Sequence, residues 1–171
     1  HLTKKDVDVE ALEDARFLHI EGYLLDNELL TDTLLHVVGE AKRHGVRVSM
    51  DAGDPGVIRR HPAVVRKLVQ EYADVVFFNE DVAEGYTGLS AREAAVQLHE
   101  DVAMAVVKRG SEGSVIVDDD GSHAVPAVEA EVVNTNGAGD AYAGAFLACL
   151  AKGECVAGAG RKASLVAARV V

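Results

Sequence analysis

The chain has 171 residues, about one domain at ~150 residues per domain, and its 49% hydrophobic and 26% charged residues suit a globular protein with a buried core. Sixteen Gly against three Pro exclude collagen-like and Pro-rich disordered chains. A net charge of -11 argues against a nucleic-acid partner, which needs a basic stripe to displace counterions. The first element, Phe17-Leu18-His19-Ile20, reads as a short strand. Residues 31–44 carry a helical apolar stripe (Leu34, Leu35, Val37, Val38, Ala41), and Gly45 supplies the stop. Val46-Arg47-Val48-Ser49-Met50 is the next strand, closing on Asp51. A second helix fits residues 62–72 through Val64, Val65, Leu68 and Val69, and the basic Arg59-Arg60-His61 before it reads as a solvated helix start. Val75-Val76-Phe77-Phe78 is an apolar run of the kind buried in parallel sheets. Ser90 with Glu93 forms a capping box for a helix through Ala94, Ala95 and Leu98. Residues 103–107 are another buried strand. Residues 114–117 and 122–125 flank Asp118-Asp119-Asp120-Gly121, a hairpin turn. From Ala141 onward the chain is Ala-rich and helical, broken near Gly153.

This alternation specifies an α/β layered sheet with helices on both faces. Ligands in such sheets bind beyond the carboxyl ends of the strands, which directs attention to Glu21-Gly22, Asp51-Ala52-Gly53, Asn79-Glu80 and Lys108-Arg109-Gly110. Cys149 and Cys155 form no Cys-x-x-Cys pair and are expected as two buried small hydrophobes. The seven His lack metal-ligand spacing. No run reaches the ~18 apolar residues of a membrane span, so no membrane partner is expected. Cysteine usage points to the cytoplasm.

The segment Asn134-Thr135-Asn136-Gly137-Ala138-Gly139-Asp140-Ala141-Tyr142-Ala143-Gly144-Ala145-Phe146-Leu147 carries the chemistry. Gly137-Ala138-Gly139 is a small-residue turn leading into a helix, whose first backbone N–H groups and dipole make an anion site, with phosphate the usual guest. Asp140 in the first turn either complements the dipole or, beside a phosphate, takes a proton from an attacking hydroxyl. A Walker A loop is excluded because Asp140 stands where its Lys belongs. A dinucleotide Gly-x-Gly-x-x-Gly is excluded because Tyr142 holds the place of the third glycine.

This segment resembles the C-terminal signature of the ribokinase-type (PfkB) carbohydrate and nucleoside kinases, with its Gly-Ala-Gly-Asp core. His19-Ile20-Glu21-Gly22-Tyr23-Leu24-Leu25 is similar to a strand-end segment of adenosine-kinase-like members. Val106-Val107-Lys108-Arg109-Gly110-Ser111-Glu112-Gly113 resembles the family's second Gly-containing nucleotide loop. The resemblance implies a three-layer α/β/α, Rossmann-like (ribokinase-like) sheet. It also implies an ATP- and Mg2+-dependent phosphotransferase. Asp140 would be the base, and the amides of Gly137, Ala138, Gly139 and Asp140 the anion hole for the γ-phosphoryl. Lys108, Gly110 and Gly113 would line the ATP phosphates and ribose, although Lys108 also reads as a solvated strand-end lysine. Ser164 aligns with a position that touches the adenine end of the pocket. Asn79 falls on an Asn-x-x-Glu motif that organises magnesium, but Val82 occupies the Glu position, so either Glu80, Asp81 or Glu84 substitutes or metal handling is altered. Asn79 and Glu80 as a strand end and helix cap is the plainer alternative.

The chain begins at His1, and the resemblance covers only about the C-terminal half of a family member. Residues 1–171 are therefore expected to be the nucleotide-binding portion of one kinase domain, with the N-terminal part and lid absent, an apolar edge or face uncovered, and no activity alone. The leading reading is phosphoryl transfer to a hydroxyl of a small sugar or nucleoside, with pairing into a homodimer left open. A non-catalytic nucleotide-binding module is the alternative, which Val82 favours. A Rossmann-like oxidoreductase is disfavoured by the glycine spacing.

Overall fold

The computed structural model describes residues 2–171. In chain order its principal elements are β1 (Phe17–Glu21), α1 (Glu28–Arg43), β2 (Arg47–Asp51), α2 (Pro55–Arg60), α3 (Pro62–Lys67), β3 (Val75–Asn79), α4 (Glu80–Thr87), α5 (Ala91–His99), β4 (Met104–Lys108), β5 (Ser114–Asp118), β6 (Gly121–Val125), α6 (Ala138–Ala151) and α7 (Val156–Ala167). The six strands of the described residues form one sheet in the order β1-β2-β3-β4-β5-β6. The first four are parallel, while β5 and β6 run antiparallel as the anticipated hairpin.

Side-chain alternation divides the core in two. Val76 and Phe78 of β3 join Val48, Met50, Val107, Val38, Val65 and Leu98 on the face covered by α1–α5. Val75 and Phe77 point the other way, into a cluster with Val106, Ile116, Phe146, Leu147 and Ala163 under α6 and α7. Cover on both faces is why these strands read as unbroken apolar runs. At the edge strand β1, Phe17 lies beneath the Arg47 guanidinium, 4.0 Å from the ring centroid.

Several boundaries differ from the sequence reading, each for a local reason. Helix α1 begins at Glu28 because the Asn27 side chain accepts from Leu29 N at 3.1 Å and caps it early. The expected helix over residues 62–72 is α3 running into a wider π turn, Leu68–Tyr72, closed by Ala73 N donating to Leu68 O at 2.8 Å. One short helix, α2, escaped the pattern, and a second, α4, was signalled only by Asn79 as a helix cap. Asp54 and Pro55 start α2, and Asn79 starts α4 directly at the end of β3. Helix α6 begins at Ala138, three residues before the Ala-rich run. Cys149 is buried as expected, but Cys155 is exposed, because the break at Gly153 leaves it capping α7 instead of lying within a helix.

The basic Arg59-Arg60-His61 patch ends α2 and is not simply solvated. Arg60 donates to both oxygens of Asp26, at 2.8 and 2.7 Å, and His61 lies 2.9 Å from the same carboxylate. The Arg60 and His61 hydrogen bonds pull the Asp26 pKa from 3.8 down to about 2. A depressed carboxylate stabilises the fold above its unfolded pKa and loses that contribution as pH falls through its folded one. Wild-type stability is therefore expected to drop between pH 3.8 and about 2 through this pair. Acid titration of Asp26→Asn, followed by circular dichroism, should lack that component.

Candidate active site

The register of the sheet assembles the site. Glu21 pairs with Asp51, Asp51 with Phe77, and Asn79 with Lys108, so all four polar residues project from the face of Phe77, toward α6. They stand at the carboxyl ends of β1 to β4, where such sheets bind ligands. With the loop before α6 and the N-terminus of α6 itself they enclose a cavity of about 780 Å³. Every residue singled out for nucleotide or catalysis lines it: Asn79, Lys108, Gly110, Gly113, Gly137, Ala138, Gly139, Asp140 and Ser164.

Helix α6 starts from Gly137, whose φ of +81° is strained for other residues and turns the chain into the first helical turn. Of the four amides expected to bind an anion, Ala138 N already donates to Thr135 O at 3.2 Å. Those of Gly137, Gly139 and Asp140 have no acceptor among the described residues. The carboxylate of Asp140 is exposed in that first turn. At Gly139 the Lys108 side chain comes close: a Cβ there would lie 3.0 Å from Lys108 Nζ, an approach the flexible end of the lysine can relieve. Gly113, by contrast, is fixed: its φ is +85°, and a Cβ would lie 2.0 Å from Val125 O.

Asn79 fills the plainer of its two roles. Its Oδ1 accepts from Val82 N at 2.8 Å, capping α4, and its Nδ2 donates to Gly53 O at 3.2 Å. Val82 is fully buried in the core on the far side of the sheet. Glu80 lies 3.4 Å from Arg109, and neither it nor Asp81 or Glu84 lines the cavity. Ser164 is buried on α7, facing the same cavity.

Sequence reasoning marked Asp51 only as a strand-end position and gave no chemical role to it or to Tyr23, Ser114 or Tyr142. Asp51 is buried and pairs with Lys108. Tyr23 lies over Gly53; partial burial first, then the carboxylates of Asp54, Asp51, Glu21 and Asp140, raise its phenol pKa. Tyr142, one half-turn past Asp140, shares a 2.7 Å hydrogen bond with Ser114 at the start of β5. Burial pushes its pKa to about 12 against the opposing pull of that bond, so the phenol keeps its proton and fastens α6 to the sheet. Tyr142→Phe leaves the buried Ser114 hydroxyl unpartnered and is expected to cost about 1–3 kcal/mol, read as a lower midpoint in urea. An i+2 aromatic after a Gly-rich turn was the available signal for Tyr142.

Comparison with known proteins bears on family and fold. Residues 1–171 match the pfkB family carbohydrate kinase profile. The chain is 30% identical over 179 residues to a 5-dehydro-2-deoxygluconokinase of Listeria monocytogenes, covering 100% of this chain and 55% of that protein. It is 27% identical over 159 residues to the adenosine kinase of Saccharomyces cerevisiae, covering 85% and 46%. Among solved structures, an adenosine kinase from Sinorhizobium meliloti superimposes with a TM-score of 0.92 at 28% identity, over 98% of this chain and 52% of the other. An Escherichia coli protein proposed to be a ribokinase II, in complex with ATP and Mg2+, gives 0.87 at 26% identity, over 98% and 56%. Mixed sheet, helices on both faces and a glycine turn into α6 define a ribokinase-like α/β protein. The chain belongs to the PfkB family of carbohydrate kinases. It spans about half the length of the curated relatives it matches. Among the described residues no helix is long and apolar enough to cross a membrane.

Proposed function

We propose that residues 1–171 form the nucleotide-binding portion of a kinase that moves the γ-phosphoryl of ATP to a hydroxyl of a sugar or nucleoside. One observation carries this reading: three unpartnered amides, the Lys108 ammonium and the Asp140 carboxylate converge on one cavity at the start of α6. The amides of Gly137, Gly139 and Asp140 would bind the phosphoryl oxygens, where backbone donors fixed before reaction stabilise developing charge. Asp140 would accept the proton of the attacking hydroxyl, and the Gly110–Gly113 loop and Ser164 would hold the rest of the nucleotide. Phosphoryl transfer asks mainly for such positioning and charge stabilisation.

The donor set fits a nucleotide that brings its own cation. Among the described residues no group of three His, Cys, Asp or Glu could hold a metal ion, and Mg2+ riding on phosphates keeps most of its waters and needs no such cage. When bound it would neutralise part of the phosphate charge that the Lys108 side chain and the α6 amides also face. With Val82 in the core, the carboxylates on the cavity wall are those its water shell would meet.

The test is phosphoryl transfer from ATP by the intact protein across a panel of neutral sugars and nucleosides, followed by the phosphorylated product. Acceptor-dependent product supports the reading; binding of a nicotinamide cofactor without ATP binding overturns it. Burial of Val82 favours a second reading, a nucleotide-binding module without catalysis. That reading requires ATP to bind and remain intact with every acceptor.

A further inference from the structure

Asp51 takes no part in the proton transfer or anion binding proposed above, yet it is one of few charged side chains the fold buries. At the end of β2 its Oδ1 accepts from Gly53 N at 3.0 Å, which fixes the plane of the carboxylate. Its Oδ2 accepts from Lys108 Nζ, reached across β3 from the end of β4. Among the described residues Lys108 is the one cationic side chain lining the cavity, and its ammonium sits against Gly139 in the first turn of α6. Asp140 is the next residue along. A lysine on a flexible four-carbon stem, unanchored at that spot, would swing into solvent or pair with the exposed carboxylate that has to act as base.

We propose that Asp51 is a positioning residue. It pins the Lys108 ammonium beside the α6 amides, so that the charge meets the transferred phosphoryl already oriented and stays off Asp140. The inference rests on the kinase reading. Because the stem is ordered on folding, its rotamer freedom is not lost again in the transition state, where correct placement has its effect.

The test is a double-mutant cycle in the intact protein, with kcat and KM for ATP measured beside the melting midpoint. Asp51→Asn is expected to lower kcat about 10²-fold, the scale of a misplaced catalytic group. Lys108→Met is expected to lower it about 10²–10³-fold, as for loss of one transition-state donor. Because Asp51 acts through Lys108, the double variant should be no slower than Lys108→Met alone. Should Asp51→Asn fail to fold, Asp51→Glu, which keeps the charge but shifts it, carries the same comparison. An unchanged kcat in the folded Asp51 variant, or losses that multiply in the double variant, overturns the proposal while Asp140→Asn still shows its loss of kcat. If Asp140→Asn is as active as wild type, the assignment of the base fails and this proposal fails with it.

Discussion

Asp140→Asn is expected to lower kcat by about 10²–10⁴-fold, the range of general base catalysis, with KM for ATP little changed. Asparagine keeps the size of the side chain and the backbone N–H that faces the cavity but cannot accept the proton of the acceptor hydroxyl. Asp140 is exposed at the third position of α6, so its replacement removes no core packing. It removes only the small benefit of a carboxylate near a helix N-terminus. Steady-state kinetics with ATP and the acceptor found in the panel, together with a melting curve, separate the two effects. A loss of kcat at unchanged midpoint is the expected outcome. A loss confined to KM would mean that Asp140 serves binding and not proton transfer.

Phe146→Ala is expected to cost about 3–5 kcal/mol of folding stability, the range for truncating a buried aromatic. Phe146 is fully buried. Its ring meets Phe77 edge-on at 5.6 Å and stacks with Tyr142 at 6.1 Å. Tyr142 lies on α6 itself, so it is the Phe77 contact that docks α6 on β3, the strand whose end carries Asn79. The cavity left behind loosens the helix whose first turn presents the amides. ATP affinity should therefore fall along with the urea midpoint, although Phe146 does not line the cavity. Isothermal titration with a non-hydrolysable ATP analogue checks this, and unchanged affinity in the folded variant would uncouple docking of α6 from the nucleotide site. Phe146→Leu, which refills much of the volume, should recover most of both losses.

Much of the architecture was legible because the signals were local. The hairpin turn announces itself in Asp118–Gly121, the α5 capping box in Ser90 and Glu93, and the apolar run of β3 in four consecutive residues. Helix α2, which was missed, is six residues long and α4, foreshadowed only by Asn79 as a cap, is eight, both too short to show a full apolar period. Their starts depend on single caps, Asp54 and Asn79. Cys155 was misplaced for a related reason: a glycine break decides which residue caps the next helix, and apolar composition does not register that.

The sequence by itself determined the α/β alternation and a glycine turn into an acid-bearing helix. A helix N-terminus is built from consecutive residues, so its unpartnered amides and Asp140 can be read from spacing. It did not determine what surrounds that turn. Asp51 and Lys108 are 57 residues apart and Ser114 and Tyr142 are 28 apart. Those pairs form because parallel register aligns the strand ends and because Phe146 seats α6 on Phe77. Only the tertiary structure decided that Asn79 caps a helix, that Val82 belongs to the core, and that the cavity's lysine is held by a buried carboxylate. An apolar run such as Val75-Val76-Phe77-Phe78 shows that both faces of a strand are covered. Contacts across a sheet also depend on which strands are neighbours and in what register, and no local pattern in the chain encodes that.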